Sequence, residues 1–167
     1  MMHVNFIAVI IAALVPTLVG FVWYHPKVMG KVWEQTTGID STIPGNRSMP
    51  VVFGLSLLLS FLLAGSMLPT TIHQMGLYSM VANEAGLNDS NSEVGQMLSS
   101  VMAKYGNNFR TLKHGALHGF LMSLFFMLPI IGTNALFERK STKYIIVNAA
   151  YWAITLTLMG AIICAYA

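Results

Sequence analysis

Residues 4–24 read VNFIAVIIAALVPTLVGFVWY and contain no Asp, Glu, Lys or Arg. A bilayer core about 30 Å thick is crossed by roughly 20 apolar residues, because each residue of a helix rises about 1.5 Å. The run is too long for the apolar part of a signal peptide, and no Lys or Arg precedes it. We therefore expect residues 4–24 to form a retained membrane-spanning helix.

Three further segments have the same character. They are predicted at residues 51–72, 114–137 and 144–166, and none of them contains an ionised side chain. Only 9% of all residues are charged and 55% are hydrophobic, whereas a soluble domain carries about 25% charged residues. The composition predicts an all-α fold, an integral membrane four-helix bundle in which residues 1–167 form a single domain surrounded by lipid.

The connections between these segments predict two shorter helices. Residues 26–33 separate an apolar face from Lys27 and Lys31, which is typical of a short helix lying in the membrane interface. In the long loop at residues 74–113, Ser90-x-x-Glu93 predicts a capping box. Apolar residues then follow at helical spacing and predict an amphipathic helix. We expect it to rest on the bundle or the lipid surface, and docking of a partner membrane protein is the alternative.

Basic residues in the loops predict the orientation. Because positively charged loops stay in the cytoplasm, both termini and the loop at residues 74–113 are expected outside. A clustered basic patch is missing, so nucleic acid is not an expected partner. The first and third loops contain Lys27, Lys31, Arg47, Arg139, Lys140 and Lys143, whereas the second contains Lys104, Arg110 and Lys113.

Histidines are the candidate ligands of a cofactor. His114 and His118 are four residues apart and therefore share one face of the third membrane helix. His73, at the end of the second, is expected at a similar depth, and His3 on the same side. Such a pair chelates a metal ion, and a third imidazole completes a Zn or Cu site. The sequence leaves three alternatives open: a divalent metal, a pH-sensitive group, or no cofactor and ordinary hydrogen bonds.

No catalytic residue is predicted. Serine, histidine and acidic residues form no recognisable nucleophilic arrangement, and no glycine-rich phosphate loop is present. The single cysteine, Cys164, excludes both a disulfide framework and a cysteine-based metal site.

Small and polar residues inside the helices predict how the bundle packs. Lipid supplies little hydrophobic drive for helix association, so small residues that allow close approach dominate such contacts. We expect one stripe of small residues to remain outside the bundle contacts and to mediate self-association in a homo-oligomer. A hydrogen bond across the hairpin of helices three and four is expected from the asparagines, with a polar pore lining as the alternative. The stripes contain Ser56, Ser60, Ala64, Gly115, Gly119 and Gly160; the polar residues are Asn134, Asn148 and Tyr151.

Several of these residues form a recognisable pattern. The element Trp23-Tyr24-His25-Pro26, followed by Gly30-Lys31-x-Trp33, resembles the signature of the bacterial family called domain of unknown function 1761. The glycines near His114, the NALFER stretch at residues 134–139, and Tyr151 with Gly160 agree with it over nearly the whole chain. The resemblance implies a small four-helix protein of the bacterial cytoplasmic membrane and brings no established activity. Trp23, Tyr24, Pro26 and Trp33 are expected to anchor the first helix at the interface.

The expected function is a non-enzymatic accessory, scaffold, or lipid- or partner-binding membrane protein. Short loops and the small-residue stripes favour this hypothesis. A small homo-oligomeric channel or transporter is the first alternative, because Asn134, Asn148 and the histidines are polar groups at membrane depth. A membrane protein that binds a metal through His73, His114 and His118 is the second.

Overall fold

The computed structural model describes residues 4–40, 42, 43 and 45–167. His3, which the sequence analysis grouped with the other histidines, lies outside these residues. Four helices are long and apolar enough to cross a membrane: α1 (Phe6–Trp23), α3 (Met49–Thr71), a continuous span at Leu112–Phe137, and α8 (Thr142–Tyr166). This confirms the all-α fold with four candidate membrane-spanning helices. Their ends differ from the expected ones by no more than two residues.

The third span contains a change of helix type. It consists of α6 (Leu112–Met122), a π-helical turn at Ser123–Met127, and α7 (Leu128–Phe137). The helix continues through Pro129. A proline lacks the N–H that would bond four residues back and clashes with the carbonyl there. The wider turn, in which the Leu128 N–H donates to the Ser123 carbonyl, precedes the proline and accommodates it.

The first short helix begins later in the chain than expected. The helix predicted at residues 26–33 is wrong in its bounds, because α2 spans Gly30–Thr37. Residues 25–29 form a turn instead, in which the Gly30 N–H donates to the His25 carbonyl at 3.1 Å. A Cβ atom on Gly30 would overlap the Tyr24 carbonyl oxygen, so this turn requires glycine there.

The long loop contains α4 (His73–Met80), which the sequence analysis missed, and α5 (Glu93–Tyr105). The expected capping box from Ser90 to Glu93 is wrong. Ser92 caps α5 instead, since its hydroxyl oxygen accepts from the Gly95 N–H at 3.0 Å. Its O–H lies within hydrogen-bond distance of the carbonyls of Gly86 at 2.7 Å and Asp89 at 2.8 Å. The Ser92 hydroxyl therefore both stabilises the preceding turn and caps the first turn of α5.

Close backbone contact joins the third span to α8. A Cβ atom on Gly115 would overlap the Gly160 carbonyl oxygen, and one on Gly119 would overlap the Leu156 carbonyl oxygen. Helix α1 packs against both α3 and α8, and its small residues Ala8, Ala12 and Ala13 are buried there. Large apolar side chains cover the outer faces of the four long helices, as expected of surfaces that meet lipid. The end of the bundle where α1 begins and α8 ends is called the terminal end, and the other the hairpin end.

At the hairpin end, aromatic residues at the end of α1 donate hydrogen bonds to α8. The Trp23 indole N–H donates to the Val147 carbonyl at 3.2 Å, and the Tyr24 hydroxyl donates to Asn148 Oδ1 at 3.1 Å. The Trp33 ring of α2 meets the Tyr24 ring edge-on, with centroids 5.4 Å apart. These aromatic residues therefore make contacts between helices, and Pro26 lies exposed in the turn that follows. Their expected role as anchors at the membrane interface stays a prediction.

The expected asparagine contact within the α7–α8 hairpin is wrong. Asn148 Nδ2 donates to the Tyr144 carbonyl of its own helix at 2.8 Å, while its Oδ1 accepts from Tyr24 of α1. Asn134 is exposed. Asn148 faces α1 because the glycine contacts turn a different side of α8 toward the third span.

Replacing Tyr151 with phenylalanine is expected to lower the stability slightly. The Tyr151 hydroxyl is buried and donates to the Pro16 carbonyl at 2.8 Å. Hydrogen bonds between membrane helices contribute about 0.6 kcal/mol on average, which corresponds to roughly 1–2 °C in melting temperature for a chain of this size. The buried Cys164 thiol, the only one in the chain, reports unfolding by reacting with a fluorescent maleimide. Tyr166→Phe, at a residue that is 59% exposed, should leave the melting temperature unchanged, and an equal effect of both substitutions would contradict this role.

Candidate metal centre

Three histidines converge at the terminal end of the bundle. Each of His73, His114 and His118 offers one ring nitrogen such that the three atoms lie within 4.8 Å of one another. The Nε2 atoms of His73 and His114 are 2.8 Å apart, close enough for one imidazole to donate a hydrogen bond to the other. The rings of His114 and His118 have centroids 4.5 Å apart. The three imidazoles form one cluster, which we call the histidine cluster.

Local backbone geometry brings these histidines together. His114 and His118 occupy successive turns of α6, whose first turn is capped by Thr111: the hydroxyl oxygen of Thr111 accepts from the His114 N–H at 3.2 Å. Helix α3 ends at Thr71, and the next residue, Ile72, adopts an extended conformation and is fully buried. The chain changes direction there and starts α4 with His73, which places this third imidazole against α6.

Two polar side chains connect the segments that carry the histidines. The buried Gln74, next to His73, donates from Nε2 to the carbonyls of Tyr105 at 3.2 Å and Asn108 at 2.8 Å. Cys164 of α8 lies with its sulfur 3.2 Å from the carbonyls of both Thr71 and Phe109. One thiol proton serves one carbonyl at a time. The thiol thereby links the end of α3 to the segment that leads into α6.

The segment before α6 contains a strained residue beside the cluster. Phe109 has a φ of 63°, in the left-handed region that residues other than glycine rarely adopt. Its ring lies 5.0 Å from the His114 ring and 5.8 Å from the His73 ring, between centroids. Arg110 follows and donates to the Ala167 oxygen at the end of α8. Unusual backbone conformations persist where surrounding contacts determine them, and these contacts fix Phe109 as a wall of the cluster.

The histidine cluster fits the donor set of a transition-metal site. Imidazole nitrogens bind zinc at about 2.0–2.1 Å, which puts two ligands of a tetrahedral site about 3.3 Å apart. The nitrogens of His73 and His114 would separate by a few tenths of an ångström to reach that spacing, and His118 would approach. Side-chain rotations achieve such shifts without moving the helices. Three neutral imidazoles with one further coordination position are also a ligand set that copper accepts.

Replacing Cys164 with alanine is expected to weaken metal binding by about twofold to tenfold, the equivalent of one ordinary hydrogen bond. The reason is that the Cys164 thiol joins the segments bearing His73 and His114. Cys164→Ser retains a donor at the same position and should bind metal nearly as the wild type does. Affinity is measured by competition with a chromogenic chelator. Equal affinities of the alanine and wild-type proteins would show that the thiol does not position the ligands.

The structure places the other predicted residues in two groups. Gly115, Gly119 and Gly160 form the α6–α8 contact beside the cluster. Ser60 and Ala64 are buried where α3 packs, whereas Ser56 is exposed and lines a crevice of about 450 Å³ between α1, α3 and α8. Tyr24 and Tyr151 line the same crevice, far along the helices from the histidines.

Sequence reasoning missed the residues that support the cluster. Gln74 and Phe109 give no periodic or spacing signal, and the four-residue spacing of Cys164 from Gly160 indicates helix packing only. The contacts of all three depend on how residues 105–111 fold over the end of α8. The one available signal was their proximity in sequence to the histidines or to Gly160.

Comparison with known proteins gives a family and no relative of known function. The family model described as protein of unknown function (DUF1761) matches residues 7–164. No curated protein and no solved structure matches.

Proposed function

The chain belongs to the DUF1761 family, and we propose that it is a non-enzymatic multi-pass membrane protein that binds one transition-metal ion. The convergence of His73, His114 and His118 supports this proposal. Polar residues at membrane depth are costly and commonly serve a function. Helix packing alone does not require three imidazoles in mutual contact, supported by neighbouring side chains.

The surroundings of the cluster also support metal binding. Buried contacts made by Gln74 and Cys164 fix the segments around it, and metal ligands held in this way need little reorganisation when the ion arrives. The cluster remains accessible, since His73 is exposed while His114 and His118 are partly buried. We propose that an ion reaches it from the aqueous phase at the terminal end.

We further propose that the terminal end faces outward across the bacterial cytoplasmic membrane. The hairpin end carries Lys27, Lys31 of α2, and the basic α7–α8 turn, where Lys140 Nζ donates to the Thr37 carbonyl at 2.9 Å. Basic loops remain in the cytoplasm. The histidine cluster would then take up its ion from outside the cell or from the periplasm.

Metal titration of the purified chain in lipid nanodiscs tests the proposed function. We expect about one Zn²⁺ or copper ion to bind each chain, because three imidazoles make a single site. The ion should raise the melting temperature, since it binds only the folded protein. Binding no greater than that of empty nanodiscs, with no change in melting temperature, would refute the proposal.

A further inference from the structure

We propose that the ion held by the histidine cluster is monovalent copper, Cu(I), and that Met122 supplies its fourth ligand. This inference rests on the proposed metal-binding function and adds the identity of the ion. It is carried by the position of Met122 relative to the histidines and by the electrical neutrality of the donor set.

Met122 continues the face of α6 that presents the two histidines. It follows His118 by four residues and His114 by eight, so the three side chains project from one side of the helix. Met122 lies about one turn, or about 6 Å, farther along the helix than His118. Its sulfur is 3.3 Å from the Thr70 hydroxyl. Thr70 belongs to the end of α3 that leads to His73, so the thioether faces the same junction from which the third imidazole comes.

The sulfur of Met122 is available to a metal ion. The Thr70 hydroxyl carries one proton and also lies 2.9 Å from the Met67 carbonyl, a stronger acceptor than a thioether. When the hydroxyl donates to that carbonyl, both sulfur lone pairs are free. Methionine has three rotatable side-chain bonds, and the side chain of Met122 is only partly buried. Rotation about these bonds can carry the sulfur toward the histidines one turn above.

The charge of the donor set favours a monovalent ion. The cluster contains imidazoles alone, with no carboxylate or thiolate among the described residues that complete it. The ionised residues nearest to His114 along the chain are the cations Arg110 and Lys113. The cost of placing an ion in a medium of low dielectric constant grows with the square of its charge, so a monovalent ion costs about a quarter as much as a divalent one.

The chemical softness of the donor atoms also favours Cu(I). Thioether sulfur selects Cu(I) among the common metal ions, and imidazole binds copper as well as zinc. Three imidazoles and one thioether give Cu(I) four ligands from the chain itself. Such a site suits holding or passing on the ion, because no position is left open for a substrate.

The test compares Cu(I) and Zn²⁺ binding by the wild-type chain and Met122→Leu in lipid nanodiscs. Cu(I) affinity is measured by competition with bicinchoninate under ascorbate and argon, and Zn²⁺ affinity by competition with a chromogenic chelator. Leucine preserves the volume and apolar character of methionine. We expect Met122→Leu to weaken Cu(I) binding at least about tenfold, at the lower end of effects of lost metal-site groups, while Zn²⁺ affinity stays within about twofold. Met127→Leu, five residues farther along the same span and packed against the core as Met122 is, should change neither affinity.

The possible outcomes separate this inference from the function on which it rests. If the wild-type chain binds both ions and Met122→Leu changes neither affinity, the metal site stands and the copper assignment is overturned. Tighter binding of Zn²⁺ than of Cu(I) by the wild-type chain would also overturn it. If neither ion binds, the proposed function fails and the inference fails with it.

Discussion

Replacing His114 and His118 together with glutamine is expected to weaken metal binding by more than about 100-fold. Loss of a single outer-shell partner already costs about 10–100-fold in metal sites, and this variant removes two of the three imidazoles of the histidine cluster. Glutamine keeps a polar side chain of similar length, so α6 should remain intact. Chelator competition measures the affinity, and scanning of Cys164 reactivity with temperature measures the stability.

The thermal measurement gives this prediction a second readout. An ion at 100 times its dissociation constant stabilises a folded protein by about 2.7 kcal/mol, so the wild-type chain should melt at a higher temperature when metal is present. The double variant should show no such rise. His25→Gln is the control, because His25 is exposed in the turn at the hairpin end. A double variant that binds metal as tightly as the control would place the site elsewhere.

Replacing Gly119 with leucine is expected to prevent the bundle from forming its native structure. A Cβ atom at this position would overlap the Leu156 carbonyl oxygen and lie 3.0 Å from the Thr157 Cα. These neighbours are backbone atoms, which cannot rotate away as a side chain would. Overpacking usually costs about 1–3 kcal/mol, and a cost above that range is expected here because α6 and α8 must separate along their contact.

The buried cysteine makes this second prediction measurable. Cys164 is fully buried in the native chain and should become reactive toward a maleimide at room temperature in Gly119→Leu. Gly132→Leu is the matched control in the same span, since a Cβ atom built there meets no atom within 4 Å apart from the neighbouring residues and backbone of its own helix. The control should protect Cys164 as the wild type does. Equal protection in both variants would contradict the close α6–α8 contact.

The parts of the fold that follow from local chemistry were accessible from the sequence. Each apolar stretch is long enough to cross a bilayer and carries no ionised residue, which is why the four long helices were predicted to within two residues. The pairing of His114 with His118 follows from helical spacing alone. The proximity of His73 to this pair could be predicted because the second and third membrane-spanning helices meet at one end of the bundle.

The details that could not be predicted depend on contacts between distant segments. Asn148 pairs with Tyr24 because the glycine contact sets the rotation of α8, and no pattern within either helix encodes that rotation. Ser92 caps α5 instead of Ser90 because its hydroxyl also meets the Gly86 carbonyl. The contacts of Cys164 depend in the same way on how residues 105–111 return to α8.

X-ray absorption spectroscopy of the zinc-loaded chain in lipid nanodiscs tests the central claim most directly. The account predicts three nitrogen ligands at about 2.0–2.1 Å from the zinc, with the multiple-scattering pattern of imidazole rings. The His114→Gln, His118→Gln double variant should lose that pattern. A wild-type spectrum without imidazole scattering, or one that the double variant reproduces, would contradict a metal centre at His73, His114 and His118.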